Sequence, residues 1–192
     1  MLRAEALQAI YPDIAGTIVV TIMGAVAAEL YTLGHKEHFF YLEHAMGLAS
    51  SLGLGIALAL PTHKVVVLDG DGSLLMNLGT LSTMARYMPG NLLHIVFDNE
   101  SLLSVGGFPT ATSTGTDLAG IARASGIPAV AEVRTLDQLQ ERVRQALAGK
   151  TLTTLVAKVE AIGPKTFAMD LGLLENRFQF KRALERLQQQ KA

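Results

Sequence analysis

Val65-Val66-Val67-Leu68 is a run of four apolar residues, three of them β-branched, with no polar position to face water. A strand made from it must be covered on both faces, and such strands occur almost only in parallel sheets sandwiched by helices. Comparable runs recur at Thr17–Ile22, Phe39–Leu42, Leu92–Phe97, Ala129–Val133 and Leu152–Val159. Between them lie helix-like segments: 2–11, ending at Tyr11-Pro12; Gly24 through Tyr31; Met46 through Leu60, stopped by Pro61. Three more follow: a helix after Gly72 to about Tyr87, broken by Pro89-Gly90, then Asp117–Ala124 and Leu136–Leu147. This alternation predicts an α/β fold, a parallel sheet with helices on both faces. Asp98–Thr116 contains Gly106, Gly107, Pro109 and many Ser and Thr, so a long loop is expected there, and loops of that length are usually functional.

Composition narrows the partners. The chain has 192 residues, 49% hydrophobic and 17% charged, enough for one sizeable core. So apolar a balance fits either a well-buried core or a core plus interfaces that close in an oligomer. A net charge of −1 supplies no attraction toward nucleic acid. With no cysteine there is no disulfide or thiolate chemistry, and Met-Leu-Arg-Ala-Glu at the N-terminus has no secretory pattern, so a cytoplasmic location is expected. Ala45–Leu60, nearly uncharged, carries Ser50, Ser51 and three glycines and is too short and too polar to span a bilayer; it reads as a buried helix, with no membrane partner. Residues 1–165 are expected to form the ligand-binding domain and 166–192 an amphipathic helical tail. In the tail Leu173, Leu174, Phe178, Phe180, Leu184 and Leu187 alternate with charged residues, and it docks either on its own domain or on a partner.

The chemistry concentrates in Asp69-Gly70-Asp71-Gly72-Ser73, which follows the Val65 run, and in Asp98-Asn99, which ends the next strand. In a parallel sheet, ligands bind beyond the carboxyl ends of the strands. Asp71 would supply a charged oxygen and Asn99 a neutral amide oxygen, both hard ligands suited to Mg²⁺ or Ca²⁺. Gly70 and Gly72 allow a tight turn and a close approach of phosphate. Gly72 and Ser73 would open a helix whose free N–H groups favour an anion. Asp69 reads as a turn residue. An Asp-Gly-Asp-Gly string alone is weak evidence, since many are only turns. Its place between a buried strand and a helix, with Asn99 one β-α-β unit on, makes a metal held against a diphosphate physically coherent. A Mg²⁺-dependent nucleotide binder is disfavoured, because neither a P-loop lysine motif nor a dinucleotide glycine fingerprint is present.

Gly70-Asp71-Gly72, with Asn99 28 positions after Asp71, resembles the metal and diphosphate motif of thiamine diphosphate enzymes. Glu29-Leu30-Tyr31, Phe40-Tyr41-Leu42, the segment from Met46 to Gly55, and Ser104 to Thr110 are similar to the small subunit of sulfopyruvate decarboxylases and the matching domain of phosphonopyruvate decarboxylases. The likeness spans about residues 3–160. It implies that Asp71, Asn99 and the carbonyl of Ser101 ligate Mg²⁺, and that Gly24, Ala25, Gly70, Gly72, Ser73 and the backbone near Ser104 surround the diphosphate. It also implies that Met46, beside Gly47, props thiamine diphosphate in its bent form.

Departures bear on the substrate. His44-Ala45 stands where relatives often have Gly-Ser, so His44 is a candidate for contact with the aminopyrimidine or for acid–base work, against the commoner structural role of a lone His. Leu102 and Phe108 stand where phosphonopyruvate decarboxylases tend to have His and Gln, which makes this expected substrate loop more apolar and leaves room for a less anionic 2-keto acid. The resemblance further implies a glutamate from a separate pyrimidine-binding subunit, hence a hetero-oligomer that decarboxylates a 2-keto acid. Acetolactate synthase-like carboligation and a non-catalytic cofactor-binding subunit are the alternatives.

Overall fold

The computed structural model describes residues 1–189. In chain order the elements are α1 (Arg3–Ile14), β1 (Ile18–Ile22), α2 (Ala25–Leu33), β2 (Phe39–Leu42), α3 (Ala49–Ala59), β3 (Val65–Gly70), α4 (Asp71–Leu75) and α5 (Gly79–Tyr87). They continue with β4 (Leu92–Asp98), β5 (Ser101–Leu102), β6 (Phe108–Pro109), α6 (Leu118–Ala124), β7 (Ala129–Val133), α7 (Leu136–Ala148), β8 (Thr153–Lys158) and α8 (Leu173–Gln189). Six strands form one parallel sheet in the order β2-β1-β3-β4-β8-β7. The chain steps from β1 outward to β2, then returns to the other side of β1 as β3. Right-handed crossovers in opposite directions put α2 and α3 on opposite faces. The carboxyl ends of β1 and β3 therefore border a crevice at the point where the winding reverses, the usual place for a ligand in such sheets.

The expected α/β architecture is present, and the central strands are as buried as their composition requires: β1 and β4 are buried along their whole length. Covering helices press close. A side-chain carbon on Gly53 of α3 would stand 2.1 Å from Val67 Cγ2, so only glycine lets that helix lie this near the sheet. The amide of Asn91, ahead of β4, donates to the carbonyls of Ala57, Leu60 and His63 and so satisfies the C-terminal end of α3.

Several boundaries differ from the sequence expectation. α1 does not stop at Tyr11-Pro12; Pro12 lies inside its last turn, and the Tyr11 carbonyl still accepts from Ala15 at 2.9 Å. The helix expected from Met46 begins only at Ala49, because His44 (φ 55°) and Gly47 (φ 84°) take left-handed backbone that a helix cannot continue through. The helix after Gly72 starts one residue earlier, at Asp71, and is two helices, α4 and α5. Asp69 is not in a turn but in β3, fully buried, with its carboxylate accepting from the Gly70 N–H at 2.9 Å and lying 3.3 Å from His94 Nε2. The expected long loop contains an antiparallel hairpin of β5 and β6.

The tail reaches its own domain. Asn176 of α8 is buried and bonds the exposed rim of edge strand β2 as another strand would: its amide donates to the Phe39 carbonyl at 2.8 Å and accepts from the Tyr41 N–H at 3.1 Å. Phe180 packs at a tilt against Phe40 with ring centroids 5.1 Å apart. The expected tail runs to 192, and its last three residues lie outside the described ones. Among the described residues no helix is long and apolar enough to cross a membrane.

Candidate functional site

The crevice beyond the carboxyl ends of β1, β3 and β4 gathers residues scattered over a hundred positions of sequence. Its walls include Gly24 and Ala25 after β1, Met46 before α3, Gly70 to Ser73 at the β3–α4 junction, Asn99 after β4, and Ser101, Leu102 and Ser104 of the hairpin. Each element delivers its residue for a local reason. Gly24 takes φ 80°, a conformation that favours glycine, and a side chain there would project into open space rather than into protein, leaving a cradle beside the start of α2. Gly47 does not line the crevice but is locked behind it: its N–H donates to Ser73 Oγ at 3.0 Å and its carbonyl accepts from Asn77 at 2.8 Å. A side chain on Gly47 would crowd Met76 and Asn77, so this glycine fixes the turn that presents Met46.

Asp71 is the charged centre. It is 3% exposed, and burial raises its pKa; the neighbouring Asp98 adds to the rise, while hydrogen bonds from Thr110 and from the backbone of Gly72 and Asn99 oppose it. A carboxylate so placed favours either a proton or a cation. Among the described residues no group of three His, Asp or Glu side chains could cage a metal. Asp71 is, among the described residues, the only carboxylate lining the crevice. A cation bound there would therefore draw its other ligands from neutral oxygens and from an anionic ligand, the pattern typical of Mg²⁺ with phosphates. Asn99 Oδ1 accepts from the Ser101 N–H at 3.1 Å, which fixes the orientation of its amide.

Some sequence candidates are not brought into the crevice. His44 is exposed and does not line it, and Phe108, at 65% exposure, faces solvent on the outer strand of the hairpin, whereas its cross-strand partner Leu102 lines the wall. Other residues were missed. Arg3 reaches the crevice from α1, held by the Glu29 carboxylate at 2.8 and 3.1 Å and by the Ile162 carbonyl at 3.0 Å; an arginine at a helix start carries no local signal of such a role. Ile22, Met23, Val26, Phe97 and Leu103 complete the apolar walls. Beside Asp71, Thr110 Oγ1 donates to its Oδ2 at 2.6 Å and Thr112 Oγ1 donates to Asp98 Oδ1 at 2.8 Å. Asp98 Oδ2 is in turn bonded by Lys158 at 2.7 Å. Burial pulls the Lys158 ammonium down in pKa, but its contacts to Asp98 and Glu100 outweigh that and hold it above the ordinary value.

The model of the thiamine pyrophosphate enzyme C-terminal TPP binding domain matches residues 20–157. The chain is 45% identical over 142 residues to a phosphonopyruvate decarboxylase of Streptomyces viridochromogenes, covering 73% of this chain and 35% of that protein. It is 34% identical over 169 residues to the sulfopyruvate decarboxylase subunit beta of Methanocaldococcus jannaschii, covering 88% of this chain and 89% of that one. The corresponding subunit of Methanococcus maripaludis is 33% identical over 96% of this chain and 98% of its own length. The chain thus spans about a third of the phosphonopyruvate decarboxylases it matches and nearly all of these beta subunits. Among solved structures, benzoylformate decarboxylase from Polynucleobacter necessarius superposes with a TM-score of 0.69 at 21% identity, over 85% of this chain and 34% of that one, a likeness of fold.

Proposed function

The chain belongs to the thiamine pyrophosphate enzymes, through their C-terminal TPP binding domain, and from that premise we propose that it is the diphosphate-binding subunit of a two-chain 2-keto acid decarboxylase. The observation that carries the reading is the buried Asp71 carboxylate at the reversal point of the sheet, facing a crevice with no second carboxylate among the described residues. In this reading Asp71, Asn99 and the Ser101 carbonyl hold Mg²⁺. Gly24, Ala25, Gly70, Gly72, Ser73 and Ser104 surround the diphosphate, and Met46 supports the cofactor. The donor set fits that group: one carboxylate and neutral oxygens for the cation, and an open glycine cradle for the anion.

When bound, thiamine diphosphate supplies an electron sink for the bonding electrons released as CO₂ leaves. This chain's residues orient the group and exclude water. Leu102, Leu103 and Phe97 present apolar surface beside the crevice, and a carboxylate near such walls loses hydration, which favours its departure as neutral CO₂. Among the described residues the crevice has no acid besides Asp71 to protonate the cofactor's pyrimidine ring, and Glu29 is committed to Arg3. A separate pyrimidine-binding subunit would supply that glutamate, consistent with relatives named as beta subunits. We place the binding domain at 1–165 and treat 166–192 as an appended tail, the assembly as a soluble cytoplasmic heteromer and Leu102, on the crevice wall, as the substrate-reading position. His44 and Phe108, exposed outside the crevice in this chain, would do acid–base work and read the substrate only where the partner subunit extends the site to them.

Calorimetry with thiamine diphosphate and Mg²⁺ tests the site. Asp71→Ala should abolish Mg²⁺-dependent cofactor binding while circular dichroism stays that of the parent; unchanged affinity removes the proposed site. Product analysis separates aldehyde from carboligation product, and binding without any product in the full complex would mark a non-catalytic subunit.

A further inference from the structure

The crevice and the hairpin above it are joined by side chains that the ligand assignment leaves over. Thr110 directly follows β6 and Thr112 lies in the short turn after it; both are buried. Thr110 Oγ1 donates to Asp71 Oδ2 at 2.6 Å, and Thr112 Oγ1 lies 2.8 Å from Thr110 Oγ1 and 2.8 Å from Asp98 Oδ1. A continuous chain of oxygens therefore runs from Asp71 through the base of the hairpin to the end of β4. Packing makes a second join. A side-chain carbon on Gly72 would meet Leu102 Cδ2 at 2.3 Å and Thr110 Cγ2 at 3.5 Å, so the hairpin lies directly on the Asp71–Gly72 turn with nothing between. The hairpin itself has only two cross-strand pairs, Ser101 with Pro109 and Leu102 with Phe108, too few to hold a shape in water without tertiary anchors.

We propose that Thr110 and Thr112 are positioning residues that couple the cation site to the hairpin. The docked hairpin aims Asp71 by occupying its Oδ2, and a cation on Asp71 holds the hairpin down so that Leu102 stays against the crevice. Linkage makes the two effects reciprocal: whatever the hairpin adds to cation affinity, the cation returns as hairpin order. The proposal rests on the reading of Asp71 as a cation ligand.

Hydrogen-exchange mass spectrometry of the full-length protein, in the assembly it purifies in, tests the coupling. Thiamine diphosphate is held constant and Mg²⁺ is titrated. In the parent, Mg²⁺ should slow exchange across 101–112. In Thr110→Val that slowing should be lost across 108–112, beyond the Ser101 carbonyl that the cation itself would hold, and the Mg²⁺ midpoint should rise about tenfold, the scale of one hydrogen bond to a charged group. Thr110→Ser, which keeps the hydroxyl, should restore both. A general loss of packing would instead speed exchange of the core strands with or without Mg²⁺. Thr112→Val, read the same way, carries the test if Thr110→Val does not fold. Parent-like midpoint and slowing in Thr110→Val, or no rescue by Ser, overturns the coupling alone. A parent that binds no Mg²⁺ overturns the cation reading and the coupling with it.

Discussion

A carboxylate at Asp71 costs the cation-free protein stability. Its pKa is raised above 3.8 chiefly by burial, so the folded state binds a proton more readily than the unfolded chain. Stability then falls as pH rises through the folded-state pKa, and it recovers as pH drops toward 3.8. Asp71→Asn keeps an oxygen for Thr110 and removes the charge. Thermal melts in chelator should show it more stable than the parent at neutral pH, with the difference shrinking as the pH is lowered; a variant no more stable at neutral pH would mean that burial is not what raises this group. The residue scale is also where sequence reading stops short. Asp71 and Asn99 are legible because each sits at a strand end beside glycine or aspartate. Arg3, Thr110 and Thr112 are not, since the groups they bond, Glu29 and Ile162 for Arg3 and Asp71 and Asp98 for the threonines, are brought to them only by folding.

Among the elements, the two sheet edges are closed in different ways. At β7 the strand follows Pro128 and carries Glu132, features that discourage another strand from pairing. At β2 the strand is all apolar, Phe39-Phe40-Tyr41-Leu42, and α8 closes it through the side-chain amide of Asn176. Asn176→Ala would leave the Phe39 carbonyl and Tyr41 N–H without their partner, a loss of about 1–3 kcal/mol, and open an apolar edge to other chains. Urea denaturation should show that loss, and light scattering should show association rising with concentration. Unchanged stability and a monodisperse sample would mean that the edge is protected by the helix's apolar contacts alone. The tail's amphipathic pattern predicted a docked helix but left its target open, because a leucine and phenylalanine face suits any apolar surface. Asn176 decides the target, and one Asn in a helix gives no sequence signal.

At the scale of the whole molecule, several large apolar side chains remain uncovered. Met76 and Phe108 are 64% and 65% exposed, and Leu48 and Val105 are also exposed. Among the described residues the crevice is lined by one carboxylate, Asp71, and in the proposed reading that group holds the cation, which leaves no acid for the cofactor's pyrimidine ring. The chain alone should therefore give no detectable decarboxylation of 2-keto acids. Native mass spectrometry of the protein from its own source should find a heteromer that retains thiamine diphosphate and Mg²⁺. Turnover by the isolated chain would place the missing acid within it and end the two-chain reading.

The linear sequence determined the fold class, all six strands of the main sheet and the strand-end motif, because burial on both faces and the strand-to-helix junction at Gly70–Ser73 are written in neighbouring residues. It could not determine the backbone before α3, the split of α4 from α5, or the hairpin within 98–116. Those depend on contacts between distant segments: Gly47 against Met76 and Asn77, and Leu102 and Thr110 against Gly72. The tertiary structure alone decided that Asp69 is a buried strand residue, that Arg3 enters the crevice and that two threonines tie the crevice to its covering hairpin. The physical reason is common to all three. A polar group inside a protein must find its partner, and the partner can lie anywhere in the chain that folding brings within about 3 Å.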